Sequence, residues 1–404
     1  MRFFADSLIE TWPLFEGWPP WLVYGLVMFA FGALLLFGFV SLFAGIVTVV
    51  ERRIAARMQF RVGPNRVGIQ GCLQWLADGI KNFTKEDLTP AGASKLLYLF
   101  SPYLVFTGLF LAFVALPFGQ ALVISDLNVG IFYILAVTSF VTVGLVLAGW
   151  ASNNKWSLLG GIRSAAQIVS YEIPIGLSVL TVVLMAGTLS TQGIIERQGW
   201  APWDWFVFAN PFAFIAFFIF FTSTLAEGNR VPFDLPEAES ELVAGYNVEY
   251  SGMRFVFFFF AEYANLFVMG AMTSLLFFGG WNSPFNWTID LFGLFPAPLE
   301  ISGTLVFMAK ALGFVVVIIW LRWTLPRLRV DQLMVVCWQY LTPIAFVCML
   351  GTAFWMIGTH RWDALDYVKY PIFLLGVFLV LAMAARAVRN IRRVGDPVDL
   401  NPFQ

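Results

Sequence analysis

Nine apolar stretches punctuate this chain, at 21–50, 96–118, 130–150, 168–190, 208–226, 255–279, 301–321, 334–357 and 367–386. Each is about as long as a helix must be to cross roughly 30 Å of hydrocarbon. A membrane barrel would instead show short segments alternating in polarity. With 59% hydrophobic and 12% charged residues, the chain also lacks the polar surface that a soluble globule needs. The expected fold is therefore all-α: a polytopic transmembrane helix bundle of about nine spans with long cytoplasmic loops, forming one membrane domain over 1–404.

The apolar run at 21–50 is too long for the core of a secretory signal, and Asp6, Glu10 and Glu16 precede it, so it is expected to remain as the first span. Nine spans put the loops 51–95, 151–167, 227–254 and 322–333 and the tail 387–404 on one face. That face and the end of the last span hold all of the 24 Lys and Arg except Arg2, Arg197, Lys310, Arg361 and Lys369. The positive-inside rule makes it cytoplasmic, with the N-terminus outside and the C-terminus inside. Trp21, Trp150, Trp156, Trp281 and Trp320 fall near span ends, as an interfacial belt requires.

The two long cytoplasmic loops differ in sign. In 51–95 eight bases outnumber Glu51, Asp78, Glu86 and Asp87. In 227–254 six acids outnumber Arg230 and Arg254. Two solvated loops that neutralise one another would explain this pattern. The acidic loop, however, interleaves its carboxylates with Val231, Phe233, Leu235, Leu242, Val243, Tyr246 and Val248, which suggests that it is packed, and packed against a partner. In the basic loop, Leu73, Leu76, Ile80 and Phe83 recur at helical spacing. They mark a short amphipathic helix that either lies in the membrane interface or caps the bundle as a lid.

Cys72, Cys337 and Cys348 lie far apart and His360 is the only histidine, so neither an iron–sulfur cluster nor axial haem ligation is easily built here. Any metal redox chemistry would belong to a partner, and Asp and Glu alone would favour only hard ions. The chemistry-bearing candidates are ionisable groups inside apolar spans, each costing roughly 2.5–3.5 kcal/mol at a helix centre. These are Glu172 and Glu262, a turn or two in from the cytoplasmic face, and Lys310 near the midplane. A buried ion pair that sets helix register would account for them, and so would a proton path. In YEIPIG (171–176), Pro174 removes a backbone donor just after Glu172, bending the helix and opening room for water beside a carboxylate that faces Lys310 or water. Glu227, Asp234, Glu237, Glu239, Glu241 and Glu249 of the acidic loop would repel one another, so their charge could respond to a neighbouring event.

The acidic segment EGNRVPFDLPEAESELVAGYNVEYSGMRF (227–255) closely resembles the H-subunit family of bacterial NADH-quinone oxidoreductase, to which the mitochondrially encoded first subunit also belongs. VERRIAARMQFRVGPNRVG (50–68), LADGIKNFTKED (76–87), SNNKWSLLGGIRSAAQIVSYE (152–172), AEYAN (261–265) and LPRLRVDQLM (325–334) extend the resemblance over about 50–334. It implies a membrane subunit of a respiratory complex I that encloses a quinone chamber together with a peripheral arm, and that links quinone reduction to proton pumping. Ubiquinone or menaquinone would be the substrate, entering from lipid beside the amphipathic helix. FMN and iron–sulfur clusters would belong to peripheral-arm partners, the pump subunits would be membrane-arm partners, and nucleic acid would play no part. The bacterial inner membrane is the implied location.

Carried over residue by residue, the resemblance makes Glu51, Arg52 and Arg61 chamber-wall or peripheral-arm contacts, Asp78 a residue near the quinone's way in, and Arg230 a loop-ordering contact. Glu172, Glu227, Asp234, Glu237, Glu239, Glu241, Glu249, Glu262, Lys310 and Asp331 match the polar path towards the pump subunits. Arg57 and Arg66 would face lipid or a docking surface on charge alone. Val330 replaces a usual tyrosine, and the ninth run at 367–386 exceeds the commoner eight-span form. The basic end of that run, Arg386, Arg389, Arg392 and Arg393, would anchor at an anionic leaflet. A membrane subunit of an energy-converting hydrogenase or cofactor-F420 dehydrogenase, which would meet a different redox partner, remains an alternative. So does a stand-alone ion transporter, although no internal repeat of the kind that marks many transporters is evident.

Overall fold

Hydropathy locates the part of a helix that crosses lipid, but backbone hydrogen bonding carries the helix on through polar residues until glycine or proline stops it. That distinction organises the computed structural model, which describes residues 19–120, 122–236, 239–283 and 301–393. The first run is α1 (Pro20–Ala33), a π-helical stretch (Leu34–Val40) and α2 (Ser41–Met58). The run therefore does not end at 50, and Glu51, Arg52, Arg53 and Arg57 occupy the last turns of α2 rather than a loop. After α3 (Gln74–Thr84) come α4 (Lys95–Ala115) and α5 (Gly130–Ala151), close to their predicted spans.

The fourth helix departs most from expectation. α6 runs over Lys155–Ala186, 32 residues, with Asn154 capping it by accepting from the Trp156 N–H. The expected loop 151–167 is therefore mostly helix. Glu172 lies midway along α6. α7 (Pro211–Glu227) starts on an Asn210 cap, and α8 (Gly252–Phe277) and α9 (Ile301–Thr324) follow. α10 (Val330–Val335) passes through a second π-helical stretch (Val336–Leu341) into α11 (Thr342–Thr359), and α12 (Lys369–Arg393) is last. Among the described residues, six helices are long and apolar enough to cross a membrane unaided. Pro211–Glu227 and Lys369–Met383 are shorter apolar helices, and the first run is interrupted by its π-helical stretch. The chain is a multi-pass, all-helical membrane protein.

Close helix contact rests on small residues, as it must where lipid offers no hydrophobic driving force between helices. A Cβ at Gly161 of α6 would lie 3.4 Å from the Gly149 Cα of α5, and one at Gly160 would lie 2.7 Å from the Gly245 Cα of the acidic loop. Phe39, Phe43, Phe113, Phe118 and Phe267 pack as an aromatic core where α2, α4 and α8 meet. The apolar side chains of the acidic loop turn mainly inwards on their own chain: Phe233, Leu235, Leu242, Tyr246 and Tyr250 are buried and Val243 is exposed. Its apolar content is thus largely explained without a partner.

The two loops touch, but not as neutralising surfaces. Arg254 of the acidic loop lies 2.9 Å from Asp87, and Arg230 lies 3.8 Å from Glu51, so these two links join the minority charges of each segment. Of the tryptophans expected in an interfacial belt, Trp21, Trp150, Trp156 and Trp320 are exposed, whereas Trp281 is buried, because it packs inside the outer end of the bundle.

Candidate functional site

α2, α8 and α9 meet near the end from which the acidic loop springs, and each delivers one charged residue: Glu51, Glu262 and Arg322. The loop after α7 adds Arg230. Arg322 Nη1 donates to Glu51 Oε1 at 2.5 Å. Arg230 reaches across to both acids, with Nη1 3.8 Å from Glu51 Oε2 and Nη2 3.1 Å from Glu262 Oε1. Its guanidinium stands 4.7 Å from the centre of the Tyr263 ring. The Arg230 side chain is 1% exposed and that of Glu51 4%. Two carboxylates against two guanidinium groups make a neutral set, which is how such charges are tolerated out of water. Beside it, Arg327 donates to Asp234 at 3.2 Å.

Two small cavities lead from this cluster into the bundle. One, of about 30 Å³, is lined by Glu227, Asn229, Tyr246, Glu262 and Asn265 among others. The other, of about 20 Å³, is lined by Thr138, Ile175, Thr224, Glu227, Asn265 and Met269 among others. Either could hold a water, which needs at least ~10–15 Å³ and polar partners. Thr138 hydrogen-bonds Glu227, and Glu172 lies within electrostatic reach of it across the α6–α7 contact. Gln167 fixes the chain on either side of Glu227, donating to Ala226 O and Phe233 O, both at 2.7 Å.

Several sequence candidates thus converge and others do not. Glu51, Arg230, Asp234 and Glu262 belong to one charged cluster, and Glu227 and Glu172 continue it inwards. Lys310 does not face the carboxylates. Its ammonium donates to Phe278 O, Gly280 O and Asn282 O at 2.6, 3.0 and 2.9 Å, over the Trp205 ring at 4.3 Å. A flexible stem allows the charge to swing from mid-span to the unsatisfied carbonyls at the far end of α8. Among described residues the bases that meet the acids are Arg230, Arg322 and Arg327. In the sequence Arg322 and Arg327 read as loop charges, because they stand at the end of an apolar run.

Glu241 pairs with Arg163 at 2.7 Å, and Glu249 accepts from Asn154 at 2.7 Å, so both clamp the loop to the start of α6. Asp331 is exposed in the first turn of α10, and Arg61 is exposed. Glu237 and the side chain of Glu239 lie outside the described residues.

At the edge of the bundle, Arg52 on α2 donates to Asp78 on α3 at 2.6 Å, and Gln74 donates to the same carboxylate at 3.1 Å. Partial burial pushes the Asp78 carboxyl up, but these hydrogen bonds and the charges of Arg52 and Lys81 outweigh it and hold the group below its ordinary value. Trp75 packs on Gly45, where a Cβ would come within 2.7 Å of the ring. This anchoring turns Leu73, Leu76, Ile80 and Phe83 outwards, all exposed.

A multi-helix membrane protein with a buried charged cluster at the end of the bundle from which an acidic loop springs is the class this architecture defines. A family model described as NADH dehydrogenase matches residues 31–353. The chain is 52% identical to the H subunit of NADH-quinone oxidoreductase from Anaeromyxobacter dehalogenans, over 97% of this chain and 96% of that protein. It is 48% identical to the protein of the same name from Chlorobaculum parvum, over 88% and 99%, and 45% identical to that from Geobacillus thermodenitrificans, over 85% and 98%. The chain belongs to the H-subunit family of NADH-quinone oxidoreductase.

Proposed function

We propose that this chain is the membrane subunit of a respiratory complex I, a proton-translocating NADH:quinone oxidoreductase of the bacterial inner membrane. In this reading it forms the quinone chamber with a peripheral arm. That arm carries FMN and the iron–sulfur clusters, and the membrane-arm pump subunits lie on the other side. The observation that carries the proposal is that Glu262 of the Glu51–Arg322–Arg230–Glu262 cluster shares a water-sized cavity with Glu227, which also lines a second such cavity. Quinone reduction at the mouth changes the charge facing the cluster. The balanced ion pairs then redistribute, and the carboxyls beyond take up or release protons.

The outward apolar stripe of α3 supports a seat in the membrane interface, where a quinone leaves the lipid. With the loops on the cytoplasmic side, the N-terminus is periplasmic and the C-terminus cytoplasmic. Glu262→Gln tests the reading in the whole enzyme reconstituted in liposomes. Proton movement per quinone reduced is expected to fall at least about tenfold, since an uncompensated buried charge weakens a coupled site by more than 1.4 kcal/mol. Unchanged pumping in both Glu262→Gln and Glu227→Gln would count decisively against the path.

A further inference from the structure

Of all the residues lining the two cavities, only Glu227 and Asn265 belong to both. Asn265 stands three residues after Glu262 on α8, on the same helix face. It is partly enclosed, and its carboxamide has no hydrogen-bond partner among the described residues. A polar side chain committed to no protein group, between two cavities each able to hold a water, is placed to bind whatever fills them.

We propose that Asn265 is a positioning residue that holds, as a hydrogen-bond relay, the water through which Glu262 and Glu227 exchange a proton. The inference rests on the proton-path reading given above. A carboxamide is suited to this place because it presents an acceptor and two donors at once and does not itself ionise in water's range. Its N–H serves whichever neighbouring carboxyl is ionised, and its C=O accepts from a water or from a protonated carboxyl. When a proton passes, Glu262 releases it to a water in the cavity that it shares with Glu227, and that water passes a proton on to the Glu227 carboxylate. Asn265 carries no net proton at any stage, but the amide must reorient between transfers, so the link is open only when both ends are correctly protonated.

The flanking groups favour a gate over a plain spacer. The polar residues lining the second cavity are Thr138, Thr224, Glu227 and Asn265, and the rest of its lining is apolar. Polar contact along this line therefore depends on few groups.

The experiment uses the assembled enzyme in liposomes, comparing Asn265→Leu, Asn265→Ser and Asn265→Ala with Glu227→Gln. Quinone reduction, proton movement per quinone and the infrared carboxyl band lost in Glu227→Gln are followed. Asn265→Leu keeps the shape and removes the hydrogen bonding, and should lower coupled turnover about tenfold, the effect of one charge-assisted hydrogen bond. It should also shift the Glu227 band, which a merely structural role would leave in place. Asn265→Ser, with a hydroxyl and room for water, should recover most of the pumping that Asn265→Ala loses.

Normal pumping in Asn265→Leu alongside failure in Glu227→Gln overturns the relay and leaves the path standing. If Asn265→Leu does not assemble, equal pumping by Asn265→Ser and Asn265→Ala overturns it instead. Normal pumping in Glu227→Gln overturns the path and the relay together.

Discussion

Arg230 holds two carboxylates that lie far apart in the chain, Glu51 and Glu262, and it does so almost without solvent. Removing it leaves both acids facing Arg322 alone. Arg230→Met should therefore cost about 3–5 kcal/mol, the usual penalty for stripping a partner from a buried pair. The check is the thermal midpoint and yield of the purified complex; a midpoint within a degree of the parent would refute the compensation argument. Glu262 was recognisable as a candidate from residue type and surroundings, and Glu51 through the family resemblance. Their bases were not. Lys310 looked like the natural counter-ion because it is the only base in the middle of an apolar run, yet its long stem delivers the charge to the carbonyls of Phe278, Gly280 and Asn282. The arginines at run ends instead reach back inwards.

At the scale of elements, α3 shows how one helix serves two surroundings. Its polar edge is tied to α2 by Asp78 and seated on Gly45 by Trp75, while its apolar stripe faces away. Because the folded Asp78 carboxyl sits below the ordinary 3.8, it binds its proton less readily than in the unfolded chain. Its contribution is complete above that value and is lost as pH falls through the depressed one. Amide exchange over 74–84 should be flat from neutral pH downwards and rise only in acid, and Asp78→Asn should abolish that acid-dependent rise. Gly45→Leu should displace α3 outright and raise exchange in the same residues at every pH. The amphipathic helix was visible from periodicity. Its seat was not, since spacing does not say that Trp75 packs on Gly45 of α2.

Across the whole molecule, α12 stands apart. It is held near its start, where Phe373 and Gly376 meet Trp203 and Phe208 and Lys369 pairs with Asp204 at 2.7 Å. From Leu374 to Met383 its apolar side chains are mostly exposed. None of its described side chains enters the charged cluster, so a chain ending at 368 should assemble and retain quinone turnover within about twofold, the range of a peripheral change. Loss of turnover in well-assembled truncated enzyme would show that the ninth helix acts on the site.

Sequence alone determined that this chain lives in a bilayer as a helical bundle, which side its charges favour, and which carboxylates stand in costly places. All of these follow from the free energy of transferring residues one at a time between water and lipid. Tertiary structure decided where helices truly end, that Glu172 lies at the middle of α6, that Arg322 rather than Lys310 answers Glu51, and that Asn265 and Glu227 line the same two cavities. Pairing between distant side chains depends on how helices rotate and lean against one another. That is a property of the packed whole, to which local hydropathy is blind.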